Sequence, residues 1–183
     1  MRKGFNMQFE KLKSTILNIL PIVVIMVIAI LMRLMPHPPN FTPVIALGLF
    51  GVSMIRNKFL AISLPFTIMF ISDAIIGFHS FVYVVYGALL LSSLVGIWLQ
   101  KNMSEVNIII ASFTSSTLFF LVTNIAVWAK SGMYELSITG LLTCLNLAIP
   151  FYHNTIFSTM LYSAAMFFCM SVVNKVFVSK QHI

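Results

Sequence analysis

The chain has 183 residues, 60% of them hydrophobic and 8% charged, and a formal net charge of +7. A soluble domain carries about 25% charged residues, so a water-facing fold of this size is excluded for lack of polar surface. Its Lys and Arg residues sit almost wholly between apolar runs, the pattern of membrane topology determinants and not the basic stripe of a nucleic-acid interface.

A helix that crosses a bilayer needs about 20 apolar residues. Residues 1–15 form a basic N-terminus, expected to be cytoplasmic, with Arg2, Lys3, Lys11 and Lys13. The apolar run Ile16–Leu34 follows. It is too long for a signal peptide and no small-x-small cleavage site follows it, so a retained helix is expected. Next comes MPHPPNFTP, with three prolines in four residues, and then Pro43–Ile55, an apolar run of only thirteen residues. Four further crossings are predicted at Phe59–Ile76, Phe81–Leu99, Asn107–Trp128 and His153–Asn174. Turn-like breaks separate them: RNK, GFHS, KNMSEVN and KSGMYE. A shorter apolar piece, Leu136–Ile149, precedes the last crossing and ends at Pro150. Residues 175–183 form a cytoplasmic tail.

Charge counting decides whether Pro43–Ile55 crosses. If it does, and Leu136–Ile149 does not, the inside holds Arg2, Lys3, Lys11, Lys13, Arg56, Lys58, Lys101, Lys175 and Lys180. That is nine, against Arg33 and Lys130 outside. If Pro43–Ile55 dips in and returns, the first four plus Lys130 make five inside, against six outside. Nine against two obeys the positive-inside rule and five against six does not. A thirteen-residue helix rises about 20 Å, so Pro36–Thr42 must cover the remaining depth in extended form. Such backbone survives in a membrane only when buried in protein or lining a wet cavity, which places a cavity beside PHPPNFTP near the outer face. The predicted fold is all-α: a compact bundle of six transmembrane helices over residues 16–174, with both termini inside and an outer-side half-helix before the last crossing.

Small residues recur every four positions at Ala88, Ser92 and Gly96, and at Thr155, Thr159 and Ser163, which suits close helix packing in lipid. The two cysteines, Cys144 and Cys169, lack metal spacing and are expected at different depths, so no disulfide is predicted.

Ionisable residues inside membrane segments point to function by default. Arg33 ends the first helix, and Asp73 lies near the outer end of the third, with His79 beyond it. Asn124 lies in the outer half of the fifth helix, and Trp128 is one turn above on the same face. His37, Asn40, Tyr134, Asn146, His153 and Asn154 come from the outer loops. This convergence suggests a pocket open to the exterior, in which Phe41, Trp128 and Tyr134 stack a ring while Arg33, Asn40, Asp73 and Asn124 orient its polar edge. Each residue also has a structural reading. Asp73 pairs with Arg33, Trp128 and Tyr134 form an aromatic belt, and Asn124 bonds between helices. No metal, cofactor or catalytic residue is expected. There is no phosphate loop, G-x-S-x-G, H-E-x-x-H or C-x-x-C, and no chain of buried acids that would relay protons.

The segments RLMPHPPNFTPVIALGLFG, ISDAIIGFH, FFLVTNIAVW and IPFYHNT resemble, in order and spacing from about Arg33 to Phe168, an uncharacterised family of small bacterial membrane proteins. More distantly, the six-helix layout resembles the substrate-binding (S) components of energy-coupling factor transporters. That resemblance implies capture of a small nutrient or cofactor precursor from outside, in the bacterial cytoplasmic membrane. It also implies a membrane coupling subunit and two ATPases as partners. The A-x-x-x-A docking motif of those components is absent, since Ala29 is followed four places on by Arg33. Ala46, Gly48 and Gly51 then either dock a partner or pack the bundle internally. The alternatives are a non-transporting scaffold, similar to rod-shape-determining membrane proteins, and a membrane enzyme using Asp73 and His79, which no motif supports.

The topology is testable by labelling. Single cysteines at Asn40, Ser80 and Ser131 are expected to react with an impermeant thiol reagent from outside, and those at Asn57 and Asn102 are not. Outside labelling at Asn57 would overturn the crossing at Pro43–Ile55.

Overall fold

The structure, a computed structural model, describes residues 23–179, with side chains described to Val172. The described residues are helical, with no strand among them. The helices are α1 (Val23–Leu34), α2 (Val44–Met54), α3 (Lys58–Ile76), α4 (Val82–Lys101), α5 (Glu105–Lys130), α6 (Ile138–Leu147) and α7 (Ile149–Ser179). The expected N-terminal segment 1–15, the first part of the Ile16–Leu34 helix and the last four residues lie outside the described range.

The breaks in the sequence become helix boundaries for identifiable reasons. Asn57 Oδ1 accepts from the Leu60 N–H at 3.2 Å, Ser104 Oγ from Asn107 at 3.2 Å, and Ser137 Oγ from Gly140 at 3.1 Å. Each satisfies an otherwise orphaned donor at a helix start. Gly77, at φ 110°, ends α3 with its N–H on Asp73 O, in a region closed to most side chains. One boundary differs from expectation. Pro150 does not end the short helix before it. It sits in the first turn of α7, where its missing N–H is no loss, while α6 has already stopped at Leu147.

The short second helix is the centre of the molecule. Nine of its eleven residues are buried, and it packs against α3, α4, α5 and α7. Apolar residues on every face leave it no side to present to a polar solvent. Val44, Ile45 and Leu47 pack with Ala29, Ile68 and Leu89 toward one end. Leu49 packs with Leu99, Ala111 and Phe167 toward the other. Close approach depends on absent side chains. A Cβ on Gly96 of α4 would lie 2.7 Å from Leu49 O, 2.9 Å from Val52 Cβ and 3.1 Å from Ser53 N, and one on Gly51 would lie 3.0 Å from Ala61 O. Ala46, Gly48 and Gly51 are all buried, so they pack the bundle internally and are closed to a docking partner. The far end of α2 is fastened by Lys58. Its Nζ donates to Val52 O at 2.6 Å, Ile55 O at 3.2 Å and Gln100 Oε1 at 2.9 Å. A cation on these last carbonyls complements the helix dipole.

Beside its apolar core the bundle buries small hydroxylated residues, and it exposes large apolar ones. Ser92, Ser112, Ser115, Ser116, Thr159 and Ser163 are buried, while Phe59 and Tyr83 are 84% and 87% exposed. Ser115 Oγ of α5 donates to Ser92 O of α4 at 2.9 Å, and Ser116 Oγ reaches Thr155 O of α7 at 3.4 Å. Small hydroxylated residues at helix contacts and large apolar ones outside suit a lipid solvent; in water such a surface would exceed by far the apolar patch a monomer tolerates. Helices α3, α4, α5 and α7 are long and apolar enough to cross a membrane, and α1, α2 and α6 are shorter over the described residues.

Gly96→Ala drives a methyl group into backbone and is expected to destabilise the protein by about 1–3 kcal/mol. Gly87→Ala, with nothing within 4 Å of the new Cβ, is expected to be neutral or to gain about 0.5–1 kcal/mol. Thermal unfolding of the two variants in detergent measures the difference; equal midpoints would refute the tight α2–α4 contact.

Candidate functional site

At the end of the bundle where α1 and α3 stop, three helices are joined by one polar network. Arg33, in the last turn of α1, donates through Nη2 to Asp73 Oδ1 of α3 at 2.6 Å. Asp73 Oδ2 accepts from the Tyr86 hydroxyl of α4 at 3.0 Å. Arg33 Nη1 also meets the Met69 sulfur, and its buried Nε has no partner. Asp73 is 2% exposed. A carboxylate so placed needs a cation and a donor, and it has both. Sequence reading left two roles open for Asp73, pairing with Arg33 or facing a pocket. In the structure it pairs, and Tyr86, thirteen residues away, is the partner that sequence reading missed.

The α1–α2 linker, residues 35–43, is irregular but anchored. Asn154 Nδ2 of α7 donates to Pro39 O at 3.0 Å, and Ser158 Oγ to Asn40 O at 3.4 Å. Asn40 adopts φ 63°, a left-handed conformation that Asn tolerates better than most residues. His37 folds back, with Nε2 3.3 Å from Arg33 O and Nδ1 2.8 Å from Pro38 O. Phe41 packs edge-on against Tyr162 of α7, the ring centroids 6.0 Å apart.

Beneath this linker lies a cavity of about 500 Å³. Its floor is the first turn of α2, at Val44 and Ile45. Arg33, His37, Asn40 and Thr42 line it from the α1 end and the linker, and His79 from beyond α3. Thr123 and Asn124 of α5 and Thr155 of α7 complete the polar lining, while Met69, Leu89, Phe119, Val127 and Phe151 supply apolar wall. No Asp or Glu is among the described residues that line it. The start of α2 adds backbone donors. Pro43, at its N-cap, offers no side-chain hydrogen bond, and the first helical bond runs from Leu47 N to Pro43 O at 2.9 Å. The N–H groups of the preceding turn therefore have no helical acceptor.

Of the residues expected at the site, Arg33, Asn40 and Asn124 line the cavity. Asp73 touches it only through Arg33. Phe41 is engaged with Tyr162. Trp128 and Tyr134 lie off the cavity. Trp128 Nε1 donates to Glu135 O at 2.9 Å, closing the linker between α5 and α6. Asn124 Nδ2 donates to Phe120 O of its own helix at 2.8 Å, not to a neighbouring helix. His37 and His79, expected among the polar groups that converge there, also line it, and Thr42, Thr123 and Thr155 are additional lining residues. The adjacency of Thr42 to Asn40, and of Thr123 to Asn124, was the available signal. Thr155 read only as part of a packing repeat.

A second, larger cavity of about 710 Å³ lies at the opposite end, lined by Met54, Met103, Glu105, Phe167, Phe168 and Met170 among others. Its polar lining is Ser104, Glu105 and Ser171, fewer polar groups than line the smaller cavity, which is the better candidate. Cys144 is buried, Cys169 is exposed, and both are free. Among the described residues no three His, Cys, Asp or Glu gather closely enough to hold a metal ion.

Helices and cavity together define an all-helical protein with several helices fit to cross a membrane and a polar-lined chamber at one end of the bundle. The chain belongs to a family of unknown function (DUF6580), whose model matches residues 13–181. No curated protein matches it. No solved structure matches it either.

Breaking the network from one side leaves a buried carboxylate without its cation. Arg33→Gln is expected to destabilise by about 3–5 kcal/mol, and Arg33→Gln/Asp73→Asn to recover most of the loss. A double-mutant cycle on thermal unfolding measures the coupling; additive losses would show that the pair does not act as a unit.

Proposed function

We propose that this protein is the substrate-binding subunit of a membrane uptake system for a small nutrient or cofactor precursor. The reading places it in the bacterial cytoplasmic membrane with six crossings (α1 to α5 and α7), both termini inside and the cavity facing out. The observation that carries it is the chamber over α2. A 500 Å³ volume lies within the range of small-molecule sites, and mixed apolar walls with a few polar groups are the usual composition of such sites. Arg56, Lys58 and Lys101, three of the proposed inner-side cations, lie at the ends of α2, α3 and α4 remote from the chamber, as the charge rule asks.

Binding alone does no transport work. A ligand shifts a conformational equilibrium only by its differential affinity for the two states. The sequence has no phosphate loop, and its one acid deep in the described bundle is committed to Arg33 and Tyr86. Energy then comes from partners, a membrane coupling subunit and ATPases, and the chain itself is not an enzyme. The competing reading is a scaffold of the cell envelope, in which the polar groups at this end only hold helices together.

A fractionated small-molecule extract separates the two. A component that binds the cavity stabilises the protein by RT ln(1 + [L]/Kd), about 2.7 kcal/mol at a hundredfold excess over Kd. Wild type is expected to gain thermal stability with such a fraction, and Asn124→Trp, which fills the chamber, is expected to gain none. Absence of any stabilising fraction, with stable co-purification of envelope proteins, favours the scaffold. Uphill uptake by the protein alone in vesicles, driven by an ion gradient, would make it a secondary transporter and sink the subunit reading.

A further inference from the structure

We infer that the ligand of the chamber is a small organic acid, a monoanionic carboxylate carried on an apolar ring-sized body; this rests on the binding reading above. The inference follows from which charges face the space. Arg33 contributes a guanidinium to the wall, and no carboxylate lines the chamber among the described residues. The balancing charge, Asp73, is 2% exposed and lies outside the lining, so the Arg33–Asp73 pair presents its positive member to the cavity. A cationic ligand would meet a guanidinium with no acid to hold it. An anion would meet an arginine that spends one N–H on Asp73 and one on a thioether and keeps further Nη hydrogens to donate.

The other groups agree in sign. His79 and Asn40 bring an imidazole and a carboxamide, and Asn124 keeps one amide hydrogen beyond the one spent on Phe120 O, while both ring nitrogens of His37 face backbone carbonyls. The floor is the uncapped start of α2, whose free N–H groups and dipole favour negative charge. These donors share the lining with one partly neutralised guanidinium, enough for a single negative charge and poorly matched to a dianionic phosphate. The apolar wall of Leu89, Phe119, Val127 and Phe151 would be wasted on an inorganic ion and suits a hydrocarbon or aromatic body.

Three probes of one shape and three charges test this: 2-naphthoate, 2-naphthamide and 2-naphthylmethylamine. They are titrated calorimetrically into the full chain in nanodiscs, with empty nanodiscs as the blank for lipid partition. The carboxylate is expected to bind saturably and at least tenfold tighter than the amide, with no saturable binding of the amine. Because Arg33→Gln alone leaves the buried Asp73 carboxylate without its cation, the charge-neutral Arg33→Gln/Asp73→Asn variant is the comparison. It is expected to bind the carboxylate no more than threefold better than the amide. Saturable binding of the amide or the amine at least as tight as that of the carboxylate, and lost in Asn124→Trp, overturns the organic-acid assignment while leaving the chamber a binding site. An unchanged carboxylate preference in the double variant removes Arg33 from the recognition and overturns the assignment as argued. Saturable binding by none of the three overturns both the acid assignment and the binding reading.

Discussion

A helix about 16 Å long, apolar on every face and buried at nine of eleven positions, is the constraint around which this bundle is arranged. It has no polar side, so other helices must enclose it, and α3, α4, α5 and α7 do. It has several small residues, so those helices come close enough to touch backbone through Gly51 and Gly96. It is also shorter than its neighbours. Where it stops short, at Val44, the longer helices continue past it, and the space above its first turn is the chamber. Fold and candidate site are thus two consequences of one short segment.

The Arg33–Asp73–Tyr86 network acts on the same chamber from the side. A buried ion pair is weak support for stability, because desolvation offsets much of the attraction. Its clearer consequence is positional. It ties the end of α1 to α3 and α4, and α3 and α4 otherwise meet sparsely. It also holds a guanidinium at the wall while keeping the matching carboxylate out of the space. The linker above is held separately, by Asn154 and Ser158 of α7. Six helices, α1 to α5 and α7, therefore contribute to the boundary of one cavity, and relative movement among them would change its shape.

The buried hydroxyls describe how the helices attract one another. In lipid, the hydrophobic effect gives no net preference for helix over solvent, so van der Waals contact and hydrogen bonds do the work. The interface of α4, α5 and α7 is built accordingly, from Ser92, Ser115, Ser116 and Thr155 with bonds between helices. Ser112, Thr159 and Ser163 are buried there with hydroxyl oxygens that have no partner among the described residues.

Hydropathy and turn chemistry determined a good deal by themselves. Helix boundaries at Asn57 and Ser104 were legible because a side-chain oxygen at a break does its work locally, whereas the cap at Ser137 lay inside the expected apolar piece Leu136–Ile149. The apolar runs from Phe59 to Trp128 became helices of nearly the expected extent, because twenty apolar residues in lipid leave the backbone no other way to satisfy itself. The short second segment was legible as unusual, and the irregular linker beside it as a place for a cavity. What only the tertiary structure decided was partnership. Nothing along the chain says that Tyr86 meets Asp73, that Lys58 caps α2, or that Trp128 bonds to Glu135 and not to a ligand. Nor does it say whether Ala46, Gly48 and Gly51 face a neighbour or the lipid. Those outcomes depend on how helices rotate about their axes when packed, and helices that are apolar nearly all round carry no periodic polar stripe from which that rotation can be read.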